Sequence, residues 1–220
     1  MQVVERLVTL CGETHLAGLP CSLIRFAGCD LECRWCDTRY AVEPVQEPQE
    51  LSVEELVRWA RSRRARLVLL TGGEPLLQAD LPELASTLAR EHQVLVETSG
   101  AHDITALGAP VMRCVDVKSP SSGQSHRMVW DNLRDLREGD AVKFVIASRE
   151  DYAYALEVIE KHALGRPVNI LLSSAYPHLK PAELAAWIVR DLGSVHSLAE
   201  VRLNLQLHRV FWPDLEQEVD

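Results

Sequence analysis

Three cysteines, Cys29, Cys33 and Cys36, stand close together in the chain with the spacing C-x3-C-x2-C. Three thiolates on one short loop can hold three irons of a [4Fe-4S] cluster and leave the fourth iron open to a small molecule. A cluster that only transfers electrons normally takes four cysteines. The triplet therefore predicts a cluster that acts on a molecule bound to its open iron.

Two other uses of these cysteines remain open at this point. A structural zinc site usually closes with a fourth Cys or His at a recognisable spacing, often as two C-x2-C pairs. The last two cysteines of the triplet form one such pair, but Cys11, Cys21 and Cys114 form no second one. A redox C-x-x-C pair would leave Cys29 without a role. The cluster accounts for all three members of the triplet.

The composition is that of an ordinary globular chain. With 220 residues, 47% of them hydrophobic, the chain is long enough for one domain with a substantial core. Its net charge of −9 argues against a general binder of nucleic acid or of anionic membranes, which need clustered Lys and Arg. We see no signal pattern and no apolar stretch of membrane-spanning length. Thiols that ligate iron favour a reducing compartment, so we expect a cytoplasmic protein.

Short apolar runs rich in β-branched residues alternate with helical patterns, and a capping box at Ser52 begins the first long helix. The predicted strands cover residues 3–9, 22–26, 67–71, 94–98, 111–117, 141–146, 168–172 and 201–205. The predicted helices cover residues 52–63, 81–92, 151–161 and 181–191, with a shorter one over 133–137. Such alternation implies parallel β-α units and a sheet that is buried on both faces.

The length of the chain limits the architecture. A complete eight-fold barrel takes about 250 residues, and here the connection over residues 29–50 is long. We therefore predict an α/β fold that is a partial, open β/α barrel of about six β-α units. No linker marks a second domain, so we expect one domain over residues 1–213 and an acidic tail over 214–220.

The unusual motifs stand where predicted strands end. In β-α barrels the loops after the strands gather on one face, and that face carries the chemistry. The motifs are the cysteine loop, Thr71-Gly72-Gly73-Glu74-Pro75, Glu97-Thr98-Ser99-Gly100, Asp116-Val117-Lys118-Ser119-Pro120 and Ser173-Ser174. We expect them to share one site.

The cysteine triplet, followed at a strand end by Gly72-Gly73-Glu74, resembles the radical S-adenosylmethionine (SAM) superfamily. Two glycines let the backbone approach a ligand closely. The resemblance implies that the open iron binds the amino and carboxylate groups of SAM, and that an electron from the cluster cleaves SAM to a 5′-deoxyadenosyl radical. Trp35 and Asp37, on either side of Cys36, match positions that contact SAM.

Further motifs extend over nearly the whole chain. They are Leu10-Cys11-Gly12-Glu13-Thr14, Ala17-Gly18-Leu19-Pro20-Cys21, Ile24-Arg25-Phe26-Ala27-Gly28-Cys29, Cys36-Asp37-Thr38, Glu97-Thr98-Ser99-Gly100, Trp130-Asp131-Asn132-Leu133, Lys143-Phe144-Val145 and Leu205-Gln206-Leu207-His208. Together they resemble the 7-carboxy-7-deazaguanine synthase family, which serves the biosynthesis of queuosine and other 7-deazapurines. The resemblance implies contraction of 6-carboxy-5,6,7,8-tetrahydropterin to 7-carboxy-7-deazaguanine with loss of ammonia, using SAM, the [4Fe-4S] cluster and Mg2+.

The resemblance also implies roles for individual residues. Arg25 would grip a substrate carboxylate with its planar guanidinium, the alternative being an ordinary ion pair. Thr38 would give Mg2+ a hydroxyl ligand, the alternative being a helix N-cap. His208 would reach the substrate, the alternative being a satisfied core or rim residue. No side chain is assigned a catalytic step, because the radical comes from SAM.

The implied contacts form two sets. The SAM-binding residues are Trp35, Cys36, Asp37, Gly72, Gly73, Glu74, Gly100, Ser119, Pro120, Ser121, Ser173 and Ser174. The substrate-binding residues are Leu10, Cys11, Gly12, Arg25, Thr98, Gln206 and His208. The chain departs from the family at Cys11, where Gln is usual, which leaves a side-chain hydrogen bond to the pterin open there, while backbone contacts from Leu10 to Gly12 do not depend on the side chain. It also has Ser121 where the family has a basic residue.

The implied partners are a small pterin substrate, an electron donor such as flavodoxin and a second copy of the chain in a homodimer, with no nucleic acid and no membrane. Two other functions remain open. A radical SAM activating enzyme would act on a partner protein and would need a surface for docking it. A non-enzymatic iron-sulfur or zinc-binding module would not need the Gly-Gly-Glu and Glu-Thr-Ser-Gly motifs.

Overall fold

The computed structural model describes residues 1–43, 47–193 and 200–212. The strands are β1 (Gln2–Leu10), β2 (Pro20–Phe26), β3 (Gln49–Glu50), β4 (Leu67–Gly72), β5 (Gln93–Thr98), β6 (Met112–Val117), β7 (Ala141–Ile146), β8 (Asn169–Ser174) and β9 (Val201–Asn204). The α-helices are α1 (Arg39–Val42), α2 (Val53–Arg61), α3 (Leu81–Leu88), α4 (Arg149–Lys161), α5 (Pro181–Asp191) and α6 (Leu207–Phe211). The tail predicted over 214–220 lies outside the described residues.

One sheet contains all nine described strands, in the order β3-β1-β2-β4-β5-β6-β7-β8-β9. From β2 to β9 the neighbouring strands are parallel, whereas β1 pairs antiparallel with both β2 and β3. Because β3 and β9 lie at opposite edges, the sheet does not close on itself. This confirms the α/β fold with an open, partial barrel.

Six crossover connections join the parallel strands, in agreement with the predicted number of β-α units. Four of them contain an α-helix: α2, α3, α4 and α5 are their main helices. In the described structure, the connection before β6 has no helix and the one before β7 has only short 3-10 helices. No helix within the described ranges is both long and apolar enough to cross a membrane.

The capping box at the start of α2 forms as predicted. The Ser52 hydroxyl accepts a hydrogen bond from the backbone N–H of Glu55 (3.2 Å), and the Glu55 carboxylate accepts one from the N–H of Ser52 (2.8 Å). Two backbone donors that would otherwise lack partners in the first turn are thereby satisfied, which fixes the start of the helix.

The helix predicted over 133–137 was wrong. A 3-10 helix, Trp130–Arg134, stands there instead. The segment that follows it is bonded elsewhere, because the Asp135 carbonyl accepts a hydrogen bond from Arg113 (2.6 Å) and the Arg137 N–H donates one to Asp140 (2.9 Å). These backbone groups are therefore not free to continue a helical ladder.

Alternation along the strands divides the core between the two faces of the sheet. On the outer face, one cluster joins β2, β4 and β5 to α2 and α3, and a second joins β7 and β8 to α4 and α5. The inner face has its own apolar cluster, which includes Leu23, Leu69, Leu95, Cys114 and Leu171. The sheet is thus buried on both faces over most of its length.

Charge replaces apolar side chains on the inner face near the carboxyl ends of the strands. The inner apolar layer includes Leu23, Leu95, Cys114 and Ala141. The residues two positions further along the same strands are, in the same order, Arg25, Glu97, Asp116 and Lys143. Since residues two apart in a strand share a face, these four charged side chains all point to the inner side, where they line a cavity.

At the other end of the sheet a fully buried arginine ties β6 to the segment before β7. The Arg113 guanidinium donates to both Asp140 (2.5 and 3.0 Å) and Asp135 (2.5 Å), and Arg113 and Asp140 have no exposed side-chain surface. The Asp140 carboxylate also accepts from the N–H groups of Arg113 and Arg137. The pair is thus fully hydrogen-bonded inside the core.

Removing Asp140 should strongly destabilise the fold. In Asp140→Ala the buried Arg113 loses its main counter-charge, and breaking such a buried pair costs about 3–5 kcal/mol. The matched control is Asp131→Ala, because Asp131 pairs with Arg134 at 2.7 Å while 81% of its side chain is exposed. That exposed pair is worth about 0–1 kcal/mol. The free energy of unfolding in urea measures both, and equal losses would contradict the structural role of Asp140.

Candidate active site

A cavity of about 600 Å³ opens at the carboxyl ends of the parallel strands, on the inner face of the sheet. Four of the predicted motifs contribute residues to its lining. Ser173-Ser174 does not, but the two residues that follow it do. These lining residues include Cys29, Cys33, Trp35, Cys36, Asp37, Thr38, Gly72, Gly73, Thr98, Lys118, Ser119, Ala175 and Tyr176. Four of the five motifs expected to share one site therefore contribute residues to it, and Ser173-Ser174 does not.

The three cysteines of the triplet line this cavity as free, half-buried thiols. Burial raises the pKa of all three above the usual value. Their loop is folded by its own hydrogen bonds, in which Cys36 N–H donates to the Cys33 carbonyl (3.2 Å) and Leu31 N–H donates to Cys29 Sγ (3.5 Å). Three soft donors on one ordered loop fit a [4Fe-4S] cluster with one open iron.

The two glycines at the end of β4 lie against the cysteine loop. A Cβ on Gly73 would stand 2.0 Å from the Gly28 carbonyl oxygen, and one on Gly72, whose φ is +148°, would stand 2.3 Å from that of Phe26. Both carbonyls accept hydrogen bonds from this segment: Gly73 N–H donates to Phe26 (3.0 Å) and Glu74 N–H to Gly28 (2.8 Å). The sequence predicted that these glycines let the backbone approach a ligand. In the structure they also allow close contact with Phe26 and Gly28, which precede Cys29.

Glu74 joins two motifs beneath the cavity wall. Its carboxylate is fully buried and accepts hydrogen bonds from Leu76 N–H (3.0 Å), the Thr98 hydroxyl (2.8 Å) and Ser99 N–H (2.7 Å). Thr98 lines the cavity, whereas Glu74 does not. A direct contact of Glu74 with SAM stays a prediction. In the structure, its hydrogen bonds hold Thr98 and Ser99 in position.

A buried lysine lies at the centre of the charged part of the cavity. Lys143 Nζ donates to Glu13 Oε2 (2.9 Å) and lies 3.8 Å from Asp116 Oδ2, which also accepts from Lys118 (3.0 Å). Burial works against the charge of Lys143, but Glu13 and Asp116 raise its pKa well above the usual value. Lys143 is therefore a permanent cation in the cavity wall.

Burial also works against the charge of Glu97, and it raises the pKa of this carboxyl above the usual value. The Glu97 carboxyl accepts a hydrogen bond from the Thr71 hydroxyl (3.3 Å). Glu97 lines the cavity on the strand next to that of Thr71. It offers a hydrogen-bonding group to a ligand that carries N–H donors.

The segment over residues 206–212, here called the C-terminal strap, covers one side of the cavity. Gln206 Nε2 donates to both Glu13 Oε1 (3.0 Å) and Asp37 Oδ2 (2.6 Å), while Leu207 N–H donates to the Gly12 carbonyl (2.8 Å). His208 lies against Gly12, where an added Cβ would be 2.7 Å from its Nδ1. The strap thus ties the first strand's end to the residue after the third cysteine.

Oxygen and nitrogen donors that suit a divalent cation meet beside the strap. Glu13, Asp37 and His208 each place one such atom within 4.8 Å of the others. Thr38 stands at the N-cap position of α1, but its hydroxyl makes no capping hydrogen bond and donates instead to Asp37 Oδ1 (3.0 Å). Hard oxygen ligands of this kind are those that Mg2+ prefers.

Leu10, Gly12, Arg25, Gln206 and His208 line the cavity as the substrate set requires, but Cys11 does not. Its side chain is fully buried, its thiol bonds to the Glu13 carbonyl (3.0 Å), and burial raises its pKa to about 11. Its N–H and carbonyl are bonded to Leu19 and Gly18. A contact of Cys11 with substrate therefore stays a prediction, with no polar group of Cys11 turned to the cavity.

Five members of the predicted SAM set besides Glu74 also lie outside the cavity lining: Gly100, Pro120, Ser121, Ser173 and Ser174. The Ser121 hydroxyl is bonded to Asp151, and Ser173 Oγ accepts from Asn204 Nδ2 (2.8 Å). Gly100 is needed where it stands because its φ is +74° and a Cβ would lie 2.5 Å from Met128 Cε. These positions hold the rim together, and their contacts with SAM stay predictions.

Some cavity residues were present in the quoted motifs but were given no role. They are Glu13, Glu97, Asp116, Lys118 and Lys143. For Glu97, Asp116 and Lys143 the signal in the sequence is a charged residue two positions after an apolar one, at the end of a strand that is otherwise buried. Tyr40, Arg209 and Trp212 also line the cavity, and no pattern in the sequence indicates them.

Comparison with known proteins agrees with this geometry. Residues 23–109 match the family model of the Radical SAM superfamily, the class that the open sheet and the cysteine loop define. The chain is 33% identical to 7-carboxy-7-deazaguanine synthase of Koribacter versatilis over 96% of this chain and 97% of that protein. It is 35% identical to the enzyme of the same name from Chlorobaculum tepidum, over 97% and 96%.

A solved structure shares the fold. The crystal structure of QueE from Escherichia coli superposes with a TM-score of 0.72 over 93% of each chain, at 23% identity. This likeness supports the fold, and the full-length relatives confirm the family that the motifs resemble. The chain belongs to the 7-carboxy-7-deazaguanine synthase family of the radical SAM superfamily.

Gly73→Ala should prevent normal assembly of the cluster. The new methyl group would overlap the Gly28 carbonyl, so the cysteine loop must shift, and overpacking of this kind costs about 1–3 kcal/mol. The matched control is Gly108→Ala, where an added Cβ meets nothing within 4 Å. Iron content and visible absorption after anaerobic reconstitution measure the effect, with Cys33→Ala as the reference for a lost ligand. A normal cluster in Gly73→Ala would refute the role assigned to this contact.

Proposed function

We propose that this protein converts 6-carboxy-5,6,7,8-tetrahydropterin to 7-carboxy-7-deazaguanine with loss of ammonia, in the biosynthesis of 7-deazapurines such as queuosine. The observation that carries the proposal is that one cavity joins three free thiols to a set of buried charged groups. Its volume of about 600 Å³ is in the range that holds small-molecule ligands. A pterin with a carboxylate, N–H groups and a carbonyl needs such a mixture of charges.

The thiol side of the cavity is suited to the cofactors of the class. Cys29, Cys33 and Cys36 would hold a [4Fe-4S] cluster, and Trp35 and Gly73 would line the space for SAM. When bound, these groups supply radical chemistry, in which one electron cleaves SAM and a hydrogen atom is removed from the substrate. Because the thiols are half-buried inside the cavity, the residues around them limit the access of water and of other reactants.

The charged side of the cavity would bind and orient the pterin. Arg25 offers a planar cation to the carboxylate, and Lys143 offers an ammonium to a ring carbonyl. Glu13 and Glu97 accept hydrogen bonds from ring N–H and amino groups. Polar groups that must be paired when buried give such a site its selectivity, because an analogue that lacks one partner leaves a charged group unsatisfied. His208 would close the site from the strap.

Four further proposals concern the location, the domain organisation and the partners of the protein. The chain would act in the cytoplasm as a single domain over residues 1–213, and would receive electrons from a donor of the flavodoxin type. It would form a homodimer, which is supported by large apolar side chains that remain exposed between residues 189 and 211. These are Val189, Leu192, Leu203, Leu205, Val210 and Phe211. Large exposed apolar surface commonly marks an interface.

An anaerobic turnover assay tests the function. The reconstituted protein is mixed with SAM, Mg2+, a chemical reductant and the carboxytetrahydropterin, and the 7-carboxy-7-deazaguanine formed is measured by chromatography and mass spectrometry. We expect product in wild type and none in Cys33→Ala. Cleavage of SAM without conversion of the pterin would favour an activating enzyme instead, and zinc in place of iron would favour a metal-binding module.

Thr38→Val should weaken the response of turnover to Mg2+. The substitution keeps the shape of the side chain but removes the oxygen that we propose as a ligand. Mg2+ takes few protein ligands and completes its shell with substrate and water, so its affinity should rise when substrate is bound. Turnover is titrated with Mg2+ in both proteins at equal cluster content. Coincident titration curves would rule out Thr38 as a ligand.

A further inference from the structure

Arg25 does not stand alone in the cavity wall, because Glu5 is bonded to it and Tyr40 is bonded to Glu5. The Arg25 guanidinium forms an ion pair with Glu5 through Nε, and the Tyr40 hydroxyl donates to the same Glu5 oxygen (2.9 Å). The Arg25 Cζ atom lies 5.6 Å from the centre of the Tyr40 ring. The side chains of Arg25 and Glu5 are each only 14% exposed. The three residues form a compact unit.

A β-bulge brings Glu5 into this unit. In the pairing of β1 with β2, Val3 faces Phe26 but Glu5 faces Arg25, so Val4 is an additional residue in β1. Val3 packs in the outer core with the helices, whereas Leu7 packs in the inner cluster. Regular alternation would put residues 3, 5 and 7 on one face. The bulge changes the face of the strand between Val3 and Glu5, and the carboxylate thereby reaches the inner side.

The way in which Glu5 binds leaves one edge of the guanidinium free. In the described part of the chain, Arg25 donates its hydrogen bond to Glu5 through Nε, and no residue there accepts one from its two terminal nitrogens. Those nitrogens form the edge that binds a carboxylate in the parallel, two-bond arrangement. Arg25 also lines the cavity. Its remaining hydrogen-bonding capacity is therefore suited to a planar anion in the cavity.

We propose that Glu5 and Tyr40 are positioning residues that hold Arg25 with its two terminal nitrogens toward the substrate carboxylate. The inference rests on the proposed function, in which Arg25 binds that carboxylate. Glu5 holds the Nε side of the guanidinium, and the Tyr40 ring lies near the face of the guanidinium plane. An arginine side chain that is already ordered loses less conformational entropy when the substrate binds. The free energy of binding is therefore reduced less by the ordering of Arg25.

The charge on Glu5 has a cost as well as a benefit. It reduces the net attraction between this region and an anionic ligand, so a site built for electrostatic attraction would not contain it. Burial works against the charge of Arg25, whereas Tyr40 and Glu5 raise its pKa above the usual value. The benefit of Glu5 is therefore geometric, which separates its expected effects from those of a residue that attracts the substrate.

The test measures the pterin dissociation constant in Glu5→Ala, Glu5→Gln and wild type at equal cluster content. Ordering one flexible side chain is worth about 0.5–1.5 kcal/mol, so the dissociation constant in Glu5→Ala should rise roughly two- to tenfold, with SAM binding unchanged. Glu5→Gln retains an oxygen that can accept from Arg25 Nε, and it should restore most of the affinity. Glu50→Ala, an exposed carboxylate on the neighbouring strand β3, is the matched control.

Comparison with Arg25→Lys separates the two proposals. If Glu5 acts through Arg25, then Glu5→Ala should cause no further loss in the Arg25→Lys protein, because the planar fork is already absent. An unchanged dissociation constant in Arg25→Lys would overturn the clamp and, with it, the positioning role. A loss in Arg25→Lys but none in Glu5→Ala would overturn the positioning role only.

Crystal structures of wild type and Glu5→Ala add a readout that does not depend on the substrate. We expect the terminal nitrogens of Arg25 to face the cavity in wild type and to lose that orientation in Glu5→Ala. An Arg25 side chain with the same orientation in both structures would overturn the proposal, whatever molecule the cavity binds. Equal thermal stability of the two proteins would show that the pairing of β1 with β2 is intact.

Discussion

The positive charge of Lys143 is the interaction on which the cavity depends. A buried ammonium needs carboxylates close by, because the cost of removing it from water is otherwise too large. Asp116 meets this need from the next strand, and Glu13 meets it from the turn after β1. Glu13 in turn binds Gln206, which fixes the strap. Segments from both ends of the described chain are therefore held in place around one side chain of β7.

The cysteine loop depends on a different constraint, which is close contact between backbones. The Gly72-Gly73 pair lets β4 end directly on the residues that precede Cys29, and Glu74 then connects this point to Thr98 and Ser99. The motif that resembles a SAM site thus has a structural role as well. A glycine pair and a buried carboxylate fix the position of the cysteine loop relative to the loop that carries Thr98 and Ser99. Residues of both loops can therefore line one cavity.

Much of the fold was predictable because apolar alternation and caps are local signals. The capping box at Ser52, β2 and the strands from β4 to β8 follow from them, whereas the two-residue β3 was not predicted. The error over 133–137 has a long-range cause, since Arg113 bonds to the segment that would have continued the helix. The site was predictable where motifs mark strand ends, as at Gly73. It was not predictable where strand register and a bulge decide, because no local pattern shows that Glu5 faces Arg25.

The order of segments in the chain gives the strap a consequence for the newly made protein. The thiol loop and β4, against which it rests, leave the ribosome before Gln206 and His208, which follow after most of the sheet. At elongation rates of about 5–20 residues per second, the interval is roughly 7–27 seconds. During that time the strap cannot yet cover the cavity. The side of the cavity formed by Gln206 and His208 is therefore made well after the side that carries the thiols.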